Sequence, residues 1–231
     1  MSEEDIENEY GAKWIWTAFS PENRLILCYL VGDRTLESCR EFFRNLLGRI
    51  ENKPLYVSDE LIHYQTVLKE MFSIEKPVPK TGKRGRPPKA IRHIDPELDY
   101  AVVHKTREKG KVVKVEQKII FGHQERIQLK LNRSVSNKIN TAYIERSNGT
   151  LRQMDSHLQR KSNKFAKDIR YFQAKLSIIV MHYNFIKPHG TLSRNPDKSH
   201  TPRTPALVAG IIPENWSIKE ACGKPMKYIN I

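Results

Sequence analysis

Two short apolar runs around a tight polar turn, followed at once by an apolar stripe of helical period, are what most constrain this chain. Lys13 to Phe19 (KWIWTAF) is aromatic and β-branched, and Arg24 to Val31 (RLILCYLV) is its apolar counterpart. Ser20-Pro21-Glu22-Asn23 supplies turn residues between them, so the pair predicts a β-hairpin. Gly32-Asp33-Arg34 ends it. Thr35 then stands as an N-cap, with Glu37 and Glu41 in the first turns. Leu36, Cys39, Phe42, Phe43, Leu46, Leu47 and Ile50 recur every three or four residues, one face of an amphipathic helix.

The same alternation continues. Pro54 to Val57 reads as a short strand closed by Ser58-Asp59, and Glu60 to Phe72 as a helix with Leu61, Tyr64, Val67, Leu68 and Met71 on one side. Tyr100 to His104 and Val112 to Phe121 read as strands, with Lys109-Gly110-Lys111 as their turn. Helix returns near Asn140, runs to about Leu158, and resumes from Phe165 to about Ile186. From Pro188 the chain is rich in Pro, Ser and Thr, with few apolar residues before Ala206 to Ile212. This order predicts a mixed α/β fold, a small sheet flanked by helices.

Charge narrows the partner. The 231 residues hold 40 Lys+Arg against 26 Asp+Glu, a net charge of +14, with 39% apolar residues to build a core. Lys76 to Arg92 carries seven basic residues and no acid, and reads as an exposed insertion. Arg126 to Arg170 carries eleven against three acids, Glu145, Asp155 and Asp168. Clustered cations favour a polyanion, because phosphates release counterions when Lys and Arg neutralise them. No apolar run approaches the about 18 residues of a membrane span. Met1 to Glu9 holds five acids and no base, the opposite of a secretory signal, so a cytoplasmic location is expected. Cys28, Cys39 and Cys222 fit neither a disulfide framework nor a CxxC metal site. His93, His182 and His189 have no ligand spacing with a Cys or an acid, so surface or core roles are expected. Trp14 and Trp16 read as sheet packing rather than base-stacking groups.

Two acids stand out by position. Asp59 follows a strand directly, where α/β sheets present chemistry, although Ser58 or Asp59 could instead cap the next helix. Glu145 lies among basic residues on a helical stretch, with Thr141 four residues before it, Asn148 three after and Arg152 seven after, all near one face. Such a stripe could offer a metal ligand beside phosphate contacts.

The run Asn140-Thr-Ala-Tyr-Ile-Glu-Arg-Ser-Asn-Gly-Thr-Leu-Arg152 resembles the third-carboxylate signature of DDE transposases, of the small insertion-sequence type with an Ile-Glu-Arg-x-Asn-x-x-Leu-Arg block. The hairpin ending in Val31-Gly32-Asp33-Arg34-Thr35, the Ser58-Asp59 strand, Lys161 to Phe165, His182-Tyr183-Asn184-Phe185 through Pro188-His189, and Thr204-Pro205-Ala206 follow in the family's order. The likeness spans roughly Lys13 to Gly210. It implies an RNase H-like catalytic domain over residues 13–187, a C-terminal extension over 188–231, and two Mg²⁺ or Mn²⁺ ions held by three carboxylates. Asp59 would be the second carboxylate and Glu145 the third, with Arg146, Asn148 and Arg152 on DNA. It further implies copies assembling on double-stranded transposon ends. The family's first carboxylate, on a central strand just before the hairpin, has no counterpart here. Residues 1–12 read as an acidic linker, the reading frame as interrupted upstream or its start as placed late, and the chain alone as catalytically inactive. The same residues also fit a non-catalytic DNA-binding remnant or a structure-specific nuclease of that fold.

Lys83-Arg84-Gly85-Arg86-Pro87-Pro88-Lys89 resembles an AT-hook. Glycine lets the backbone press into a narrow A·T-rich minor groove, whose negative potential draws the arginines. The alternative is a basic linker held to DNA by charge alone.

Overall fold

The computed structural model describes residues 13–76, 91–159, 164 and 166–223. They form two compact units, one of Met1–Arg49 with Ala142–Ile231, the other of Ile50–Thr141. The basic segment 83–89, with Lys83, Arg84, Gly85, Arg86, Pro87 and Lys89, and the expected linker 1–12 lie outside the described residues.

In the first unit, β1 (Trp14–Ser20) and β2 (Leu25–Gly32) form the expected antiparallel hairpin, closed by the pair Ser20↔Leu25. Thr35 caps α1 (Leu36–Leu47) by accepting from the Ser38 N–H, and Cys39, Phe42, Phe43 and Leu46 are buried. Trp16 is 4% exposed, lies 6.1 Å from the Phe42 ring and donates its indole N–H to the Asp33 carbonyl at 3.2 Å. Trp14 departs from the packing expected of it. It is 48% exposed, with the Arg34 guanidinium 4.4 Å above its ring.

The long helices are α4 (Ala142–Met154) and α5 (Ile169–Met181). The second begins four residues later than its apolar pattern suggests, because Asp168 caps it by accepting from the Arg170 N–H at 2.8 Å. Ile26, Val31, Leu151, Leu176, Ile179, Val180 and Tyr183 make a common core. Helix α5 passes into a π-helical turn, His182–Ile186, that buries Asn184. Its amide accepts from the Ile26 N–H at 3.1 Å and donates to the Ile26 carbonyl at 2.9 Å. Residues 188–223 pack into this same unit. Leu25, Met181, Phe185, Ala206, Ile212 and Ala221 cluster, and Trp216 stacks on Phe185 at 4.6 Å. Ala206 and Ala221 belong to two very short helices, α6 (Pro205–Val208) and α7 (Ile218–Gly223).

The second unit is built on a mixed sheet. β3 (Leu55–Asp59) runs parallel to β6 (Asp99–Glu108), which runs antiparallel to β7 (Lys111–Phe121). The β6–β7 turn places Lys109 at φ 47° and Gly110 at φ 81°, as a two-residue hairpin loop requires. Helix α2 (Ile62–Met71) follows β3, and α3 (Gln124–Asn132) follows β7. Ala101, Val103, Ile127, Leu131 and Ile139 form the core. Two short strands, β4 (Ser73–Lys76) and β5 (Ile91–Ile94), pair antiparallel with Lys76 opposite Ile91, so they bracket the basic insertion. The whole is mixed α/β. Among the described residues no helix is long and apolar enough to cross a membrane.

Candidate functional site

Asp59 is the last residue of β3 and is exposed. The parallel partner β6 holds it in register opposite Val103. Neither Ser58 nor Asp59 caps the following helix, since the N-cap of α2 is Leu61, with no side-chain bond. The Ser58 hydroxyl is engaged elsewhere, donating to the Asp59 carbonyl at 2.6 Å and lying 2.8 Å from the Tyr100 hydroxyl. Among the described residues no ion pair neutralises the Asp59 carboxylate. Its neighbour Glu60 is different, bound to His104 Nδ1 and 4.0 Å from the Lys118 ammonium.

Glu145 occupies the first turn of α4, where the unsatisfied N–H groups favour a carboxylate. It is exposed, as is Arg146, while Asn148 and Arg152 are half-buried on the same side of the helix. Ser147 and Leu151, on the opposite side, are buried. The expected face is therefore the one that α4 turns away from its core. Thr141 precedes the helix and is buried.

Asp59 belongs to one unit and Glu145 to the other. Among the described residues no three His, Cys, Asp or Glu are gathered so as to hold a metal ion. No reaction step is assigned through the three-carboxylate, two-ion centre that the resemblance implies.

The buried acids among the described residues, Asp99 and Asp155, have structural partners. Asp99 is fully buried. Arg126 donates to it through Nε at 2.9 Å and Nη2 at 2.6 Å, and the Lys130 ammonium stands 2.8 Å away. Burial would push its carboxyl up, but Arg126 and Lys130 outweigh that and hold it below the usual carboxylate range. Asp155 is buried beside Lys175 at 2.6 Å and accepts from the His157 N–H at 3.0 Å. There too burial is outweighed, chiefly by Lys175, and the carboxyl is lowered.

A further cluster in the first unit escaped the sequence reading. Arg24 ends the β1–β2 loop at φ 58°, and its guanidinium lies 4.2 Å from the centre of the Tyr143 ring. The His189 ring meets Tyr183 edge-on, with centroids 6.4 Å apart. Burial pushes the His189 imidazole below its ordinary pKa, and nearby Arg24 and Arg146 add to the shift. Asn23 Oδ1, Arg24 Nε and His189 Nδ1 are buried atoms without a hydrogen-bond partner among the described residues. The available signal was a long cation as the last residue of a four-residue hairpin loop, a position that favours glycine or asparagine. The chain matches no family model, no curated protein and no solved structure.

Proposed function

We propose that this chain is a DNA-binding protein of the DDE transposase type, with an RNase H-like fold, that acts on transposon ends as an assembly of copies. The observation that carries the reading is the exposed face of α4, where Glu145, Asn148 and Arg152 line up beside Arg146 in a strongly basic stretch. Arginines and an amide along one helix face suit a phosphate backbone, which needs charge and hydrogen-bond donors at the duplex repeat. Asp59 supports it as an exposed carboxylate at the open end of a parallel strand, used neither as a cap nor in an ion pair among the described residues. In this reading Asp59 and Glu145 are two of the hard oxygen donors that Mg²⁺ or Mn²⁺ requires. The ions, when bound, would supply Lewis-acid activation of an attacking hydroxyl. The activity proposed for the chain itself is binding.

Fluorescence anisotropy on labelled duplexes tests this. Binding should weaken steeply with salt, by about 0.9 in log K per phosphate neutralised. R146A/R152A should lose affinity on every duplex. R84A and R86A should lose more on A·T-rich than on G·C-rich DNA if the hook is real, whereas equal losses leave a basic linker. No cleavage or joining is expected in Mg²⁺ or Mn²⁺, and cleavage would assign the chemistry to this chain. Absence of duplex binding at 50 mM salt would end the DNA reading.

A further inference from the structure

We propose that Arg24, Arg146 and His189 form a cradle for a phosphate group of the DNA backbone, an assignment that rests on the DNA-binding reading above. Three separate segments build it: the hairpin loop brings Arg24, the start of α4 brings Tyr143 and Arg146, and the π-helical turn with the chain that follows it brings Tyr183 and His189.

Four observations converge. First, neither arginine has an acidic partner among the described residues, although their fields meet at His189. Two guanidinium cations held near one imidazole without an acidic partner among the described residues repel one another and disfavour the imidazolium, and an anion relieves both. Secondly, Arg24 Nε and His189 Nδ1 are buried without a hydrogen-bond partner among the described residues, an arrangement that costs free energy and that a hydrogen-bonding ligand relieves. Thirdly, Arg24 sits at positive φ, a conformation glycine adopts freely and arginine adopts under strain. The fold keeps a long, rigidly forked donor where a glycine would suit the backbone better. Fourthly, the Tyr143 ring lies under the guanidinium, which pre-orders its fork for the bidentate geometry that phosphate accepts. Glu145, the adjacent acid on α4, is about 100° round the helix from Arg146 and belongs to the Asn148–Arg152 face.

His189 reports occupancy. The groups facing it are Arg24 from the hairpin, Arg146 from α4 and Tyr183 from its own segment. A dianion among them favours the imidazolium, so phosphate uptake should raise the His189 pKa.

The experiment uses the full 231-residue chain. Imidazole resonances are followed by NMR against pH with and without inorganic phosphate, His189 being assigned by His189→Gln. Duplex affinity is measured for wild type, Arg24→Gly and Arg146→Ala. Arg24→Gly removes the donor while relaxing the backbone, so its melting temperature should hold or rise and lost affinity cannot be blamed on misfolding. The expected result is a His189 pKa raised by phosphate, and about a tenfold weaker duplex affinity for Arg24→Gly with a salt slope lower by about one. Wild-type binding with Arg24→Gly unchanged and His189 unmoved by phosphate would overturn the cradle and leave the DNA reading standing. A response to phosphate with duplex affinity unaffected by Arg24→Gly would overturn its assignment to DNA in favour of a free phosphate. Failure of the wild type to bind any duplex would remove both.

Discussion

Gly122 and Asp99 should be energetically coupled, and a double-mutant cycle measures by how much. Gly122 has φ 101°, and a Cβ built there would stand 2.0 Å from Asp99 Oδ1. Asp99 is itself the buried acceptor for Arg126 and Lys130. Asp99→Ala loses those charged bonds, but Arg126 and Lys130 are about one-third exposed, at 33% and 32%, and can rehydrate. The cost is therefore that of lost charge-assisted bonds, about 3 kcal/mol, rather than that of a stranded buried charge. Gly122→Ala adds backbone strain of about 1–2 kcal/mol and also evicts the carboxylate, so its total is about 4–5 kcal/mol. With Asp99 already gone the eviction costs nothing further. The double variant should then fall about 2–3 kcal/mol short of the sum of the singles. Urea unfolding followed by circular dichroism supplies the four free energies. Costs that add to within about 0.5 kcal/mol would show that Gly122 serves the backbone alone and that the carboxylate contact has no energetic consequence.

Asn184→Ala should cost about 2–4 kcal/mol, since both main-chain groups of Ile26 lose their partner, and hydrogen exchange at the Ile26 amide should quicken in step with the fall in melting temperature. Asp99 and Asp155 have carboxyls lowered in the folded state, so their contribution is present above the unfolded value of about 3.9 and disappears as pH falls through the folded values. The urea midpoint should therefore stay level from pH 7 to about 5 and drop below pH 4, less steeply in Asp99→Asn; an equal drop in both would exclude Asp99 as a source. The Cys28 thiol is pushed up to about 12 by burial and Cys39 is also buried, whereas Cys222 is exposed. Alkylation at pH 8 should thus label Cys222 alone in the native protein and all three cysteines in urea, as counted by mass spectrometry.

What local pattern can encode was legible. The hairpin, α1 with its Thr35 cap, β3, α2 and the β6–β7 pair follow from alternation, helical spacing and turn residues, which are properties of a few neighbouring side chains. The exposure of Glu145 follows from the structure, where Ser147 and Leu151 face the core on the other side of the same helix. Other elements were not visible for equally local reasons. Helix α3 buries only Ile127 and Leu131, too few to show a period, and β4 and β5 are four residues each. Residues 188–223 look like an extension because their apolar side chains are sparse, yet Ala206, Ile212 and Trp216 all reach the core.

The sequence by itself therefore determined the mixed α/β class of the fold and the basic character of the chain. Tertiary structure alone decided that Asn184 would serve Ile26 across 158 positions, that Gly122 would leave room for Asp99, and that Arg24 would meet Tyr143 and stand near His189. Periodicity reports on residues within a turn or two of one another. A hydrogen bond, a steric gap or an uncompensated charge between distant segments depends on how the chain closes, and no local window contains it.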